Sequence, residues 1–223
     1  METEITQLGA LYRQAKALYQ QHDWQAAAAI FLQLGDYENA RSYIEKCDML
    51  AAYTLGNTVQ MGSSHGEPLR WRVIGENGKM RLLFAEESVA KLPYNQQYVD
   101  SSWQECSLRR WLNQDFFRTT FSKEEQMKIM NTRLENLPSP KYHTSGGFPS
   151  VDKLFLLSEG EIAGYLPELA DRVTGDWWWL RSPGISLLCA VSVDKEGAVY
   201  ENGINVDYPS GGVRPAMWVL LRV

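Results

Sequence analysis

Residues 177–184 have the sequence WWWLRSPG, and this stretch decides most of the predicted fold. Successive side chains of a β-strand point to opposite faces, so three consecutive tryptophans cannot lie on one side of a sheet. We predict that Trp178 packs in the core, whereas Trp177 and Trp179 point the other way, toward a neighbouring helix or a ligand. Arg181 ends this apolar strand, where a guanidinium can bind backbone carbonyls or a carboxylate while it stacks on an indole ring.

Two further phrases combine tryptophan with arginine: residues 108–113 are LRRWLN, and residues 212–218 are GVRPAMW. Arg214 flanks an apolar strand as Arg181 does, so a scaffold role is expected for both arginines. The acidic side chains that could pair with them are Asp176, Glu159 and Glu161. The residues predicted to be structural are Trp111, Trp178, Arg181, Arg214 and Trp218.

The hydrophobic pattern changes to period two at Asn57, which indicates β-strands after that residue. Strands surround short helices without regular βαβ alternation, so the predicted fold class is α+β with mixed or antiparallel sheets. A buried strand is predicted over 153–157. The last strand, predicted over 213–223, should lie in one sheet with a strand near the start of the domain. The predicted helix N-caps in this region are Ser107, Ser122 and Ser158.

The first 56 residues are predicted to be helical, because apolar side chains recur at spacings of three and four. Asp23 and Asp36 are the predicted N-caps of the second and third helices. The phrase LGDYENA at residues 34–40 resembles the helical hairpins of tetratricopeptide-like repeats. Such arrays need about three repeats to be stable alone, so we favour a cap or spacer for the main domain. The alternative is a groove that binds a partner protein.

The charge and the cysteines exclude several classes of protein. A net charge of −5 argues against a nucleic-acid partner, because phosphate binding requires a basic patch. Cys47, Cys106 and Cys189 lie far apart, which indicates reduced thiols and not a disulfide framework. The N-terminus lacks the features of a signal peptide, and no apolar run is long enough to span a membrane. We therefore expect a cytoplasmic protein without a membrane partner.

The three phrases together resemble an uncharacterised bacterial domain family marked by WLN, WLRSPG and GVRPA motifs. The resemblance covers about residues 57–223. That family looks related in fold to C-type lectins and to the formylglycine-generating enzymes. The resemblance therefore implies a C-type-lectin-like domain at 57–223, preceded by a helical segment at 1–56.

Candidate catalytic groups do not form a recognisable constellation in the sequence. A formylglycine-type oxidase relies on a close pair of cysteines that bind copper, whereas only Cys189 lies in the corresponding region. The related sulfoxide-forming iron enzymes use three histidines, but His22, His65 and His143 lack ligand spacing. We therefore predict no catalytic residue, no metal site and no cofactor. An oxidase or another enzyme is the alternative.

Residues 184–212 connect two of the motifs and carry the predicted binding face. Apolar, aromatic, acidic and amide side chains are mixed there without regard to burial, as on a rigid platform with adaptable contacts. This layout resembles the variable proteins of diversity-generating retroelements, which place a diversified patch on a C-type-lectin fold. The sequence favours a noncatalytic module that binds a protein or carbohydrate ligand. The predicted ligand-binding residues are Ser186, Leu187, Leu188, Ser192, Tyr200, Glu201, Asn202, Ile204, Asp207 and Tyr208.

Overall fold

A computed structural model describes residues 2–221, with side chains from Ile5 onward. The chain divides into two compact units, one that extends to Asn57 and one that comprises Thr58–Leu220. The fold class is α+β, as predicted, with antiparallel and mixed sheets in the second unit. No helix within this described range is both long and apolar enough to cross a membrane.

The first unit is a bundle of three helices packed in sequence around an aromatic centre. Phe31 is fully buried, and its ring stacks on Tyr43 with the centroids 4.8 Å apart. Each helix contributes a fully buried alanine to this core, and the small side chain lets the backbones approach closely. The helices are α1 (Glu2–Gln20), α2 (Trp24–Leu34) and α3 (Ala40–Ala52).

One of the two N-caps predicted in this unit is correct. The Asp23 carboxylate accepts a hydrogen bond from the Ala26 amide at 3.1 Å and so caps α2. Asp36 is not the cap of α3, because that helix begins only at Ala40 and a turn occupies the intervening residues. The Asp36 carboxylate instead forms an exposed ion pair with Arg41 at 2.6 Å.

The second unit contains two main sheets, a two-stranded ribbon and short helices. Its strands are β1 (Thr58–Ser64), β2 (Glu67–Asn77), β3 (Met80–Ala85), β4 (Ala90–Lys91), β5 (Thr132–Leu134), β6 (Ser150–Asp152), β7 (Trp178–Pro183), β8 (Cys189–Val193), β9 (Val199–Asn205), β10 (Gly212–Val213) and β11 (Ala216–Leu220). Its α-helices are α4 (Ser107–Trp111), α5 (Phe117–Thr120), α6 (Lys123–Lys128) and α7 (Glu159–Tyr165). A π-helical turn joins α4 to α5.

The first sheet contains both ends of the unit, as predicted, in the order β1-β2-β3-β11. β11 pairs antiparallel with β3 along its whole length. The other edge of β11 is met by single antiparallel bridges from Ile129 and Phe155. The hydrophobic C-terminal strand is therefore flanked on both sides.

The second sheet has the order β4-β10-β7-β8-β9. The prediction of one continuous strand from Val213 is wrong, because Val213 belongs to β10 whereas Ala216 begins β11 in the first sheet. Proline has a fixed φ and no amide hydrogen, so Pro215 cannot continue a central ladder. The GVRPA phrase thus carries the chain from one sheet to the other within two residues.

Strand β7 is buried at every residue because the sheet is covered on both faces. Trp178 packs on Phe84 of the first sheet, with the ring centroids 5.6 Å apart. Trp179 packs on Tyr94 at 5.9 Å, and its indole N–H donates to the Leu92 carbonyl at 2.9 Å. Trp179 is therefore fully buried against protein and does not face a ligand.

Arg181 and Arg214, the two arginines predicted to be structural, have different partners. Arg181 forms a bidentate ion pair with Glu161, with one contact at 2.9 Å, and its guanidinium also donates to the Leu156 carbonyl. Of the other two carboxylates predicted as partners, Asp176 pairs with Lys91 instead, and Glu159 contacts neither arginine.

Arg214 is buried and binds only backbone carbonyls at its guanidinium. Nε donates to Ala85 O at 3.0 Å, Nη1 to Arg172 O at 3.1 Å and Nη2 to Glu86 O at 3.0 Å. The guanidinium also stacks between Phe84 and Trp178, at 4.3 and 4.8 Å from the ring centroids. Burial lowers the pKa of Arg214 to about 9. This pKa is still above neutral pH, so all the donors are retained there.

Trp111 and Trp218, also predicted to be structural, are only partly buried. Trp111 packs on Phe116, with the centroids 5.0 Å apart. Trp218 belongs to β11 and lines an open cavity of 350 Å³.

Two of the three helix starts predicted in this unit are confirmed. Ser122 and Ser158 each form a complete capping box. Ser107 is not a cap, because it is already the first residue of α4. Cys106 holds that position, and its Sγ accepts a hydrogen bond from the Arg109 amide at 3.4 Å.

Asn113, the last residue of the WLN phrase, fixes a distant backbone segment. Its Oδ1 accepts hydrogen bonds from the amides of Lys153 at 2.7 Å and Leu154 at 3.1 Å, and its Nδ2 donates to the Leu154 carbonyl at 2.8 Å. These bonds occupy the backbone groups that a strand would use. The predicted strand over 153–157 is therefore wrong, and β6 ends at Asp152.

Candidate ligand-binding face

Aromatic side chains cluster on the outer part of the second sheet. We call the set formed by Trp177, Ser192, Tyr200, Ile204 and Tyr208 the aromatic face. The first four line one open cavity of 320 Å³. Tyr208 extends this wall, because its ring meets Trp177 edge-to-face with the centroids 5.6 Å apart.

Strand register explains why Ser192 and Tyr200 of the aromatic face lie side by side. Trp179, Ser192 and Tyr200 are direct partners across β7, β8 and β9, so they form one row. Ser192 is only 1% exposed and forms the floor of the cavity, whereas Tyr200 and Tyr208 are each 49% exposed. Ser192 therefore offers a ligand little surface, and the contact groups are the aromatic walls.

Three carboxylates and one ammonium group line the cavity, those of Asp176, Asp194, Glu196 and Lys195. The hydrogen bond from Lys91 lowers the pKa of Asp176, which lies beside Trp177. The Asp194 carboxylate accepts hydrogen bonds from the amides of Glu196 at 3.0 Å and Ala198 at 2.9 Å, so it holds the β8–β9 turn. The rim is therefore polar, and two of its carboxylates have hydrogen-bond donors within the protein.

Glu201 and Asn202 are engaged by another part of the same unit. Glu201 forms an ion pair with Lys141 at 2.7 Å, and the Asn202 amide oxygen accepts a hydrogen bond from the Tyr142 hydroxyl. The two residues anchor the loop between β5 and β6 to strand β9. Their role in the structure is to hold that loop, and they are not part of the aromatic face.

The remaining predicted binding residues lie in turns beside the sheet. The Leu187 carbonyl accepts from the Ser101 amide at 3.0 Å, and the Leu188 carbonyl accepts from the Val206 amide at 2.9 Å. Ser186, Leu187 and Leu188 are all partly buried, while Asp207 is exposed. The backbone of this turn is thus bonded to neighbouring segments of the chain.

The ten predicted residues are therefore not one patch. Four of them belong to the aromatic face, together with Trp177, which strand alternation had predicted to point toward a neighbouring helix or a ligand. The acidic rim was missed, although the turn at 194–197 was visible in the sequence. The residues that lie next to this turn are determined by the register of the sheet, and the sequence does not show that register.

We expect the exposed walls of the aromatic face to contribute little to stability. Tyr200→Ala and Tyr208→Ala should each change the free energy of unfolding by no more than about 0.5 kcal/mol, as at ordinary surface sites. Urea denaturation of the two variants measures this. A loss above about 2 kcal/mol in either variant would show that the tyrosine is part of the core.

A larger cavity, of 580 Å³, lies between β2, the β3–β4 connection and the segment before β7. Three of its four basic residues form ion pairs: Arg72 with Asp171 at 2.5 Å, Lys91 with Asp176, and Arg70 with the glutamates of the β3–β4 connection. The fourth, Arg214, binds backbone carbonyls. The opposite charges of the ion pairs neutralise one another within the wall. The cavity therefore presents no uncompensated charge to a ligand from these pairs.

The cysteines differ in their environments. Burial raises the pKa of Cys47 to about 11 and that of Cys106 to about 12, so both are thiols at neutral pH. Cys189 is partly buried, and its Sγ lies 3.6 Å from the Asn205 amide oxygen. Within residues 2–221, no group of three or more His, Cys, Asp or Glu side chains is placed to hold a metal ion.

Comparison with known families identifies the second unit. Residues 77–221 match the model of a family described as domain of unknown function (DUF6273), and the chain belongs to this family. Among curated proteins, none matches the chain. No solved structure matches it either.

Proposed function

We propose that this protein is a noncatalytic binding module whose ligand contacts the aromatic face. The observation that supports this proposal is the grouping of Trp177, Tyr200 and Tyr208 around one open cavity on a buried scaffold sheet. Exposed aromatic clusters are typical of interaction sites, because they bury large areas with little loss of side-chain entropy.

The ligand we propose presents a ring with one apolar face and a polar edge. Such a ring would stack on Tyr200 or Trp177, while its polar edge meets water or the carboxylates of the rim. A sugar ring of a carbohydrate and an aromatic side chain of a partner protein share this chemistry. The cavity of 320 Å³ has room for one such ring with its substituents.

We also propose that Thr58–Leu220 has a C-type-lectin-like fold. Two features support it: the first sheet contains both β1 and β11, and the second sheet carries the candidate binding face. The Trp/Arg strand β7 and the GVRPA phrase occur in the order that suggested the resemblance. An experimental structure whose fold neighbours belong to another class would contradict this proposal.

We propose that a diversity-generating retroelement varies the exposed positions within residues 185–210. Tyr200, Asn202 and Asp207 are exposed, so their replacement would disturb the scaffold little. Buried β7, by contrast, tolerates few side chains. Sequencing the gene in closely related genomes tests this: substitutions should concentrate at exposed positions within 185–210. An even spread over buried and exposed positions would count against it.

We propose a cytoplasmic location for the protein, and we propose that its three N-terminal helices are a cap or spacer for the main domain. The location rests on the cysteines: Cys47, Cys106 and Cys189 are all free thiols. Fractionation of expressing cells, followed by immunoblotting, would contradict the location if the protein were recovered outside the cytoplasm.

Arrays of glycans and of proteins, probed with the full-length chain, test the binding proposal. We expect Tyr200→Ala and Trp177→Ala to weaken binding of any ligand found by about 30-fold or more, the effect of losing a hot-spot aromatic. Tyr98→Ala is the matched control, because Tyr98 is a 52% exposed tyrosine outside the aromatic face. It should leave affinity unchanged.

The two arrays also separate the ligand classes. Binding to glycans only would assign a carbohydrate ligand, and binding to proteins only would assign a protein ligand. Equal affinity of the wild type and of both face variants for the ligands found would contradict the proposal that this face is the binding surface.

A further inference from the structure

A second cleft, unrelated to the aromatic face, lies between α7, β7 and the loop that joins β5 to β6. It consists of two adjoining cavities of 350 and 120 Å³, which we call the polar cleft. The residues that line both cavities are Leu137, Ser158, Gly160 and Arg181.

Buried polar atoms without a partner concentrate in the polar cleft. Five buried side-chain polar atoms within residues 2–221 form no hydrogen bond, and four of them belong to residues of this cleft. Each such atom costs stability, so four in one place indicate that something else satisfies them. The atoms are Thr132 Oγ1, Asn136 Oδ1, Glu159 Oε2 and Arg181 Nε.

Arg181 supplies a fixed donor. The side chain is 5% exposed, and its two terminal nitrogens are held by Glu161 and by the Leu156 carbonyl. The rigid guanidinium plane then fixes the direction of the remaining Nε–H. That N–H has no acceptor among residues 2–221, so it is the donor that Arg181 has left for a bound molecule.

Asn136 supplies a fixed acceptor. Its Nδ2 donates to the Phe148 carbonyl at 2.7 Å, which determines the orientation of the amide and leaves Oδ1 as the unpartnered atom. The loop closes tightly at this point. A Cβ on Gly146 would lie 2.1 Å from the Asn136 carbonyl oxygen, so only glycine fits there. The 120 Å³ cavity thus has a defined wall.

Glu159 supplies an uncompensated negative charge. Arg181 is already neutralised by Glu161, and the Lys141 ammonium is engaged by Glu201, whereas Glu159 forms no ion pair in the described part of the chain. Burial, and then the neighbouring Glu201, raise the pKa of Glu159, while Lys141 acts in the opposite direction. A partly buried carboxylate without a cationic partner favours a cationic donor over a neutral hydroxyl.

Beyond Arg181, the larger cavity has an apolar wall. Leu82, Phe155 and Trp218 face it, together with the ring of Tyr165. The cleft therefore combines a carboxylate and an amide oxygen that need donors, a guanidinium N–H that needs an acceptor, and a hydrophobic compartment next to them.

We propose that the polar cleft binds a free α-amino acid with an apolar side chain. The ammonium group donates to Glu159 Oε2 and Asn136 Oδ1, and the carboxylate accepts from Arg181 Nε. The side chain enters the larger cavity and packs against its apolar wall. A molecule of this class supplies the donors, the acceptor and the apolar group that the residues of the cleft lack.

Isothermal titration of the full-length protein with the individual L-amino acids tests this proposal. At least one apolar amino acid should bind with a Kd below about 1 mM. Its N-acetyl derivative, which lacks the ammonium group, and its decarboxylated amine should each bind at least about tenfold more weakly. The Arg181 Nε–H resonance, assigned in ¹⁵N spectra by Arg181→Lys, should shift on binding.

Matched variants distinguish a ligand site from a water-filled cavity. Glu159→Gln should weaken binding by about tenfold or more, whereas Glu168→Gln, at an exposed glutamate outside the cleft, should not. Tyr200→Ala should also leave this binding intact, so failure here and failure at the aromatic face are separable. The proposal is overturned if no amino acid binds at about 10 mM, if the N-acetyl derivative binds equally well, or if sugars and polyols bind instead.

Discussion

Trp178→Ala is expected to lower the free energy of unfolding by about 3–5 kcal/mol, the cost of a large cavity in a packed core. The indole is fully buried, packs on Phe84 at 5.6 Å and lies under the Arg214 guanidinium at 4.8 Å. Its N–H also donates to the Arg172 carbonyl at 3.0 Å, which the substitution would leave with one partner fewer. Equilibrium urea denaturation measures the loss.

Trp177→Ala is the matched control, since it removes the same side chain one residue earlier in the chain. Trp177 is only partly buried, and it lies on the wall of an open cavity. Its substitution should therefore cost at least about 2 kcal/mol less than that of Trp178. Equal losses would mean that Trp177 is packed as tightly as Trp178, contrary to its partial burial.

Arg214→Met is expected to lower the free energy of unfolding by about 3 kcal/mol or more. The substitution keeps much of the apolar stem but removes donors to three carbonyls, those of Ala85, Glu86 and Arg172. A buried carbonyl that loses its partner costs about 1–3 kcal/mol. Denaturation curves report the total.

Arg70→Met is the control for the loss of one positive charge, because it makes the same substitution at an exposed arginine. Arg70 is mostly exposed and forms surface ion pairs with Glu86 and Glu87, at 3.3 and 3.1 Å. Such pairs contribute about 0–1 kcal/mol, so this variant should be close to the wild type. If Arg214→Met were equally mild, the carbonyls would have other donors, and the scaffold role of Arg214 would be refuted.

Local signals predicted the fold class and several helix starts, because they depend on a few neighbouring residues. Periodicity indicated an α+β chain, and the Ser-x-x-Glu phrases at Ser122 and Ser158 form the expected capping boxes. Errors arose where distant residues decide the structure. Asn113 binds the backbone amides of Lys153 and Leu154, about 40 residues later in the chain. No pattern within residues 153–157 predicts that contact.

The candidate site was predictable only in part for the same reason. The sequence marked Tyr200 and Ile204 as candidates for a binding face, and both line the same cavity in the structure. Glu201 and Asn202 look equally available in the sequence, yet the loop residues 60 positions earlier bind them. The polar cleft has no sequence signature at all, since its four unpartnered atoms come from separate elements.

The two-residue crossing at Arg214 and Pro215 has a consequence for how the second unit unfolds. β10 and β11 belong to different sheets, so neither strand can leave its sheet without displacing the other. Arg214 adds bonds on both sides of this crossing. Cooperativity is thereby built into the covalent chain: amide hydrogens of β7 and β11 should become accessible to exchange in one shared opening event.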